Sequence, residues 1–190
     1  DSAVYHRSKN NSHQQTNAEG QDLAPWAAFG QATQLYSPIQ LANALATLVS
    51  GGQHCPAHLL KEVRSADGGE VLALGDSTPL NTIDIDPSYL DAIKKGMLGY
   101  TTGSLSGYFK DCVVTAGAKT GTAQMGGEAE NNGIFVCFGP YEDPEIAVAI
   151  VVEQAGAGAN ITPAAVAILN SWFSAPEIDT PIQGENTLLP

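Results

Sequence analysis

The sequence has 190 residues, enough for one domain with a sizeable core, and 43% of them are hydrophobic, which sets it apart from disordered chains. A net charge of −12 with only eight Lys or Arg residues excludes nucleic acid and anionic lipid as direct partners. No apolar run of about 18 residues occurs, so no segment reads as a membrane span.

The chain opens at Asp1 with neither a Met nor a signal peptide, which predicts a fragment or a processed product. Residues 1–22 are polar and rich in Ser, Asn, Gln and His, and read as a loop or frayed end. The first clear helix begins at Ser37-Pro38-Ile39-Gln40. Ser37 can cap, Pro38 suits the first helical position, and Gln40 completes a capping box. Leu41, Ala42, Leu45, Leu48 and Val49 form its apolar stripe, and Gly51-Gly52 ends it. Residues 58–64 and 71–74 read as two strands around the turn signal Ala66-Asp67-Gly68-Gly69. Residues 75–85 read as irregular. Asp86-Pro87 starts a second helix with Leu90, Ile93 and Met97 on one face, and Thr101–Gly107 reads as a loop after it.

Three strands are predicted next, at about 112–124, 133–139 and 146–153. Asn131-Asn132-Gly133 is a turn before the second, and Pro140-Tyr141-Glu142-Asp143-Pro144 is a turn before the third. A final helix starts at Thr162-Pro163, capped by Thr162, with Val166, Leu169 and either Phe173 or Trp172 on its apolar face. The acidic, Pro-containing tail 176–190 reads as loose. Short links between the last strands require antiparallel pairing. The fold class is therefore α+β, an antiparallel sheet packed against helices.

Ala118-Lys119-Thr120-Gly121-Thr122-Ala123-Gln124 is the segment with chemistry in it. In a strand Thr120, Thr122 and Gln124 share one face and Lys119 takes the other. Two hydroxyls two residues apart suit a carboxylate. Gly121 between them leaves room for a ligand against the backbone, and Lys119 adds a fixed positive charge to an acidic protein. An extended peptide can pair with such a strand as an added strand. The tripeptide Lys-Thr-Gly is by itself a weak signal, because an ordinary surface strand supplies it by chance.

Other residues carry less. Cys55, Cys112 and Cys137 lack metal-ligand spacing and read as buried or half-buried thiols, Cys137 in the core. His6, His13, His54 and His58 share no ligand spacing and read as surface residues. No metal or cofactor is expected. Trp26 and Trp172 read as packing residues, and Glu153 as holding a structural hydrogen bond at the end of an apolar strand.

The surroundings of the Lys119 segment are more specific. Ala28-Phe29-Gly30-Gln31, Ser37-Pro38-Ile39-Gln40-Leu41-Ala42 and Gly51-Gly52 precede it, with Gly96-Met97 in the second helix. Lys119–Gln124, Phe138-Gly139-Pro140 and Ile146–Glu153 follow in order. Together these resemble the C-terminal part of the transpeptidase domain of class B penicillin-binding proteins, over roughly residues 23–173. With the polar 1–22 and the acidic tail 176–190 read from composition, the resemblance implies a domain portion over 23–175.

It also implies a β-lactamase/transpeptidase-like fold and a function. Such proteins acylate an active-site serine with a D-alanyl-D-alanine stem peptide, then pass the acyl group to a neighbouring stem, cross-linking peptidoglycan. β-Lactams mimic that peptide end and trap the acyl-enzyme. By this resemblance Lys119 supplies positive charge near the nucleophile, and Thr120 and Thr122 bind the substrate carboxylate across Gly121. The Thr122 N–H is then one of two oxyanion donors, each worth roughly 3–4 kcal/mol. The expected partners are the stem peptide and β-lactams. The expected location is the extracytoplasmic face of the bacterial membrane, through an anchor outside this chain.

The sequence also departs from the family pattern. No serine is followed three residues later by a lysine, so the Ser-x-x-Lys nucleophile is missing and the chain alone lacks an activated nucleophile. Ser8-Lys9-Asn10 fits Ser-x-Asn, but only about twenty residues separate it from Gly30-Gln31, where the family has a helical segment. Ser106-Gly107-Tyr108 stands where the family usually has Gly-Thr-Ala. Two alternatives follow: a non-catalytic module that binds stem peptide or a partner, and a fragment of a serine β-lactamase or D,D-carboxypeptidase. Loss of the other half of the core predicts exposed apolar surface and self-association.

Overall fold

The computed structural model describes residues 36–124 and 130–174. The polar segment 1–22 and the tail 176–190 lie outside the described residues, as do Ser8-Lys9-Asn10, Trp26 and Gly30-Gln31.

Helix α1 spans Pro38–Val49. Its start forms as its sequence dictates: Gln40 Oε1 accepts from the Ser37 backbone N–H at 2.9 Å and from its hydroxyl at 3.1 Å. Leu45 is buried, and Leu41, Ala42, Leu48 and Val49 are half-buried. The helix stops where Gly51 and Gly52 take φ of 76° and 92°. Beyond it β1 (Gln53–His54) pairs antiparallel with β4 (Asn81–Thr82). Residues 75–85 were expected to be irregular, yet they supply this strand. A two-residue strand has no alternation to read, and its partner is remote in sequence.

Between them β2 (Glu62–Arg64) and β3 (Val71–Leu74) form the expected hairpin. Its turn closes through Ser65 N–H to Glu70 O at 2.8 Å, with Gly68 at φ 74°. The first strand is shorter than expected, since residues 58–61 stay irregular. Val63, Val71, Leu72 and Leu74 of the hairpin are all exposed.

Helix α2 runs from Pro87 to Thr102. Asp86 caps it, accepting from Ser88 N–H at 2.8 Å, and the Ser88 hydroxyl and N–H hold its carboxyl below the usual range. Leu90, Met97 and Thr101 are buried, but Ile93 is 44% exposed. At about 100° per residue Ile93 sits about 60° off the line of the other three, so the buried stripe bypasses it. The helix also continues through Thr101 and Thr102, which were expected to open a loop. Both threonine hydroxyls donate to Leu98 O at 2.9 Å, and Thr101 also to Ala116 O at 2.7 Å. A turn over 103–105 then leads into a one-turn helix α3 (Ser106–Phe109).

Strands β5 (Gly117–Ala123), β6 (Asn132–Gly139) and β7 (Ile146–Val152) form an antiparallel sheet in that order. Residues 112–116 were expected to extend β5. Asn170 holds Asp111–Val113 instead, its Oδ1 accepting from Val113 N–H at 2.8 Å and its amide donating to Asp111 O at 3.0 Å. A 3₁₀ turn (Gly158–Ile161) leads into α4 (Thr162–Ser174). Thr162 does not cap as expected. Its hydroxyl donates back to Ala159 O at 2.7 Å, because the preceding turn offers it a carbonyl. On α4 Val166 and Leu169 are buried and Phe173 packs on the core, whereas Trp172 is 58% exposed.

The register of the sheet sorts its two faces. Phe138 lies opposite Gly117 and Ala147, and packs with Leu45 of α1 and Met97 of α2. Cys137 lies opposite Ala118 and Val148, and packs with Phe135, Ile161, Ala165 and Leu169 on the α4 side. Helices therefore cover both faces of an antiparallel sheet, the α+β arrangement expected. Gly117 is required by this packing: a Cβ there would lie 2.4 Å from the Phe138 ring.

A candidate substrate strand

Strand β5 carries Lys119, Thr120, Gly121 and Thr122 in its second half. Among the described residues it is hydrogen-bonded on one side only, to β6. Alternation separates the side chains as expected. Lys119 lies opposite Val136 and Gly121 opposite Ile134, while Thr120 lies opposite Phe135 and Thr122 opposite Gly133. Lys119 and Thr122 are exposed, and Thr120 is half-buried. The Lys119 ammonium donates to the Thr120 carbonyl.

The two hydroxyls are held by groups from different elements. Thr120 Oγ1 is 2.9 Å from the phenol of Tyr100 on α2. Thr122 Oγ1 accepts from Gly158 N–H at 3.3 Å. Gly158 also lies against the backbone of Gly121. A Cβ at Gly158 would lie 2.3 Å from Gly121 O and 2.6 Å from Ile134 O. On the Thr122 side the Gly121 backbone is thus approached closely by a second glycine. Tyr100 and Gly158 escape sequence reading. The pairs 100–120 and 158–122 are remote in sequence, and a tyrosine on a helix or a glycine in a turn carries no signal of its partner.

Of the histidines singled out, His6 and His13 lie outside the described residues. His54 is on β1, and the Cε1 of His58 would be 2.8 Å from a Cβ at Gly75. Among the described residues no group of three or more His, Cys, Asp or Glu side chains is placed to hold a metal ion. Glu153 stands in an exposed turn just past β7, and the hydrogen bond expected of it is not formed among the described residues. All three cysteines are free. Cys55 and Cys112 are half-buried, and Cys137 is buried as expected. Burial, then the nearby Cys112, pushes the Cys137 thiol from 9.0 up to about 12.

A helix-covered antiparallel sheet with Lys-Thr-Gly-Thr on a one-sided strand narrows the fold families considerably. The chain matches the penicillin binding protein transpeptidase domain over residues 6–171. It belongs to this family. It is 31% identical over 139 residues to penicillin-binding protein 2A of Bacillus subtilis (strain 168), covering 66% of this chain and 19% of that protein. It is also 31% identical over 147 residues to the peptidoglycan D,D-transpeptidase MrdA of Escherichia coli (strain K12), covering 68% of this chain and 23% of that one. The fold matches that of penicillin-binding protein A from M. tuberculosis, solved as an imipenem acyl-enzyme complex. That match has a TM-score of 0.65 at 22% identity, over 76% of this chain and 32% of that one. The transpeptidase family chain thus spans about a fifth to a quarter of the curated relatives it matches. The resemblance to class B penicillin-binding proteins holds.

Proposed function

We propose that this chain is the substrate-carboxylate portion of a peptidoglycan D,D-transpeptidase that works through an acyl-serine intermediate. The observation that carries the proposal is the Lys119–Thr122 segment on a strand with one side unpaired among the described residues. Lys119 provides the positive charge near the nucleophile and the substrate carboxylate. Thr120 and Thr122 bind that carboxylate through their hydroxyls, and Gly121 keeps the strand flat between them. The Thr122 N–H is an oxyanion donor, aimed where negative charge develops on the scissile carbonyl. The serine that attacks belongs to a part of the family domain outside these residues, since no Ser-x-x-Lys occurs here. Residues 23–175 are the domain portion in this proposal.

The substrate is a stem peptide ending in D-alanyl-D-alanine, and β-lactams act as its mimics. A role in peptidoglycan cross-linking places the protein on the extracytoplasmic face of the membrane, through an anchor outside this chain. No helix among the described residues is long and apolar enough to cross a membrane. The exposed Leu59, Leu72 and Leu74 favour self-association when this portion is separated from the rest.

Labelling with a fluorescent penicillin tests the proposal. The complete protein should form a covalent adduct and this chain alone should not. In the complete protein Lys119→Ala should slow acylation by about 10²-fold or more. An adduct on the isolated chain would mean that the nucleophile lies within it. No adduct on the complete protein would favour a non-catalytic binding module.

A further inference from the structure

Tyr100 has no part in the proposed chemistry, yet it reaches into it. From α2 its ring packs against the buried cluster that includes Ala116, Ala118 and Leu105, and its phenol ends 2.9 Å from Thr120 Oγ1. Two neighbouring contacts of α2 fix this reach. One residue on, Thr101 donates to Ala116 O at 2.7 Å, and three residues back Met97 lies in the cluster with Phe138. The helix is therefore tied to both faces of the sheet beside β5, and the phenol has little freedom to swing away.

We infer that Tyr100 is a positioning residue for carboxylate recognition, orienting the Thr120 hydroxyl. The inference rests on the proposed role of Thr120. Either hydroxyl of the pair can donate; in the inferred arrangement the O–H of Tyr100, the more acidic of the two, donates and Thr120 Oγ1 accepts. Thr120 then keeps its own proton for another acceptor. A hydroxyl that accepts one hydrogen bond donates the next more strongly. An anionic oxygen is the acceptor that gains most from such a donor, because charge-assisted bonds are about twice as strong as neutral ones. Tyr100 thus acts on the substrate carboxylate through Thr120, without touching it.

The test uses the complete protein and two probes, a penicillin with its free carboxylate and the methyl ester of the same compound. Acylation rates are measured for wild type, Tyr100→Phe, Thr120→Val and the double variant. Phenylalanine keeps the ring and removes only the hydroxyl. Tyr100→Phe should slow acylation by the acid about 3- to 10-fold and leave the ester unchanged. In the Thr120→Val background it should have no further effect. A wild type that discriminates acid from ester, with a Tyr100→Phe variant that keeps the same ratio, overturns the inference. Equal losses on both probes also overturn it, because they mean a purely structural role. A wild type that does not discriminate at all overturns the carboxylate role of the strand itself, and the inference with it.

Discussion

Gly158→Ala is a demanding perturbation because the structure specifies what the added methyl would strike. Its Cβ would fall 2.3 Å from Gly121 O and 2.6 Å from Ile134 O, both backbone atoms held by the β5–β6 ladder. Restoring even a 3.0 Å separation from Gly121 O takes a shift of about 0.7 Å. The Thr122 Oγ1 to Gly158 N–H bond is already 3.3 Å long, so a shift of that size away from the strand breaks it. Overpacking of this kind costs about 1–3 kcal/mol. The lost hydrogen bond adds about 1 kcal/mol. Stiffening of the unfolded chain by alanine returns about 0.4–1 kcal/mol. A net destabilisation of about 1–3.5 kcal/mol follows, read as a drop in melting temperature of about 1–4 °C in the complete, several-fold longer protein. Penicillin acylation should fall as well, because the turn no longer anchors Thr122. A variant with wild-type melting and wild-type acylation would refute the reasoning, since the turn would then be free to give way without disturbing the strand.

Two further outcomes are expected. Phe135 has 0% exposure at the centre of the sheet, so Phe135→Ala should cost about 3–5 kcal/mol in denaturant unfolding; a loss under 1 kcal/mol would mean the core collapses around the gap. The Cys137 thiol is held protonated when folded, up to about 12 against 9.0 when unfolded. Its contribution is therefore complete below about pH 9 and declines as pH rises toward 12, by about 1.4 kcal/mol per pH unit. Cys137→Ala should flatten that alkaline decline in melting profiles, and an unchanged slope would assign the decline to other groups.

Much of the fold was legible because local rules and global packing agree in it. The capping box at Ser37 and Gln40, the Gly51-Gly52 stop and the hairpin turn at Gly68 are short-range signals, and each formed. The alternation along Lys119–Thr122 put its side chains on the expected faces of β5. What the sequence hid was decided at long range. Thr101 and Thr102 looked like a loop until their hydroxyls found the Leu98 and Ala116 carbonyls. Ile93 looked buried until the line through Leu90, Met97 and Thr101 excluded it. Thr162 looked like a cap until the turn before it offered a better partner. At the candidate strand the same division holds. Lys119, Thr120, Gly121 and Thr122 were readable as a pattern, whereas Tyr100 and Gly158 became visible only when the helix and turn that carry them were folded against it.

The contact between Gly117 and Phe138 has a consequence for how this sequence can vary. The aromatic ring occupies the volume in which any side chain at position 117 would sit, 2.4 Å from where its first carbon would be. The two positions therefore share one allotment of space across the β5–β6 ladder. Neither can be enlarged alone, and a tolerated change at 117 requires a smaller residue at 138. Viable sequences of this sheet should change the two together, which makes a remote pair of residues behave as a single heritable unit two positions before the lysine.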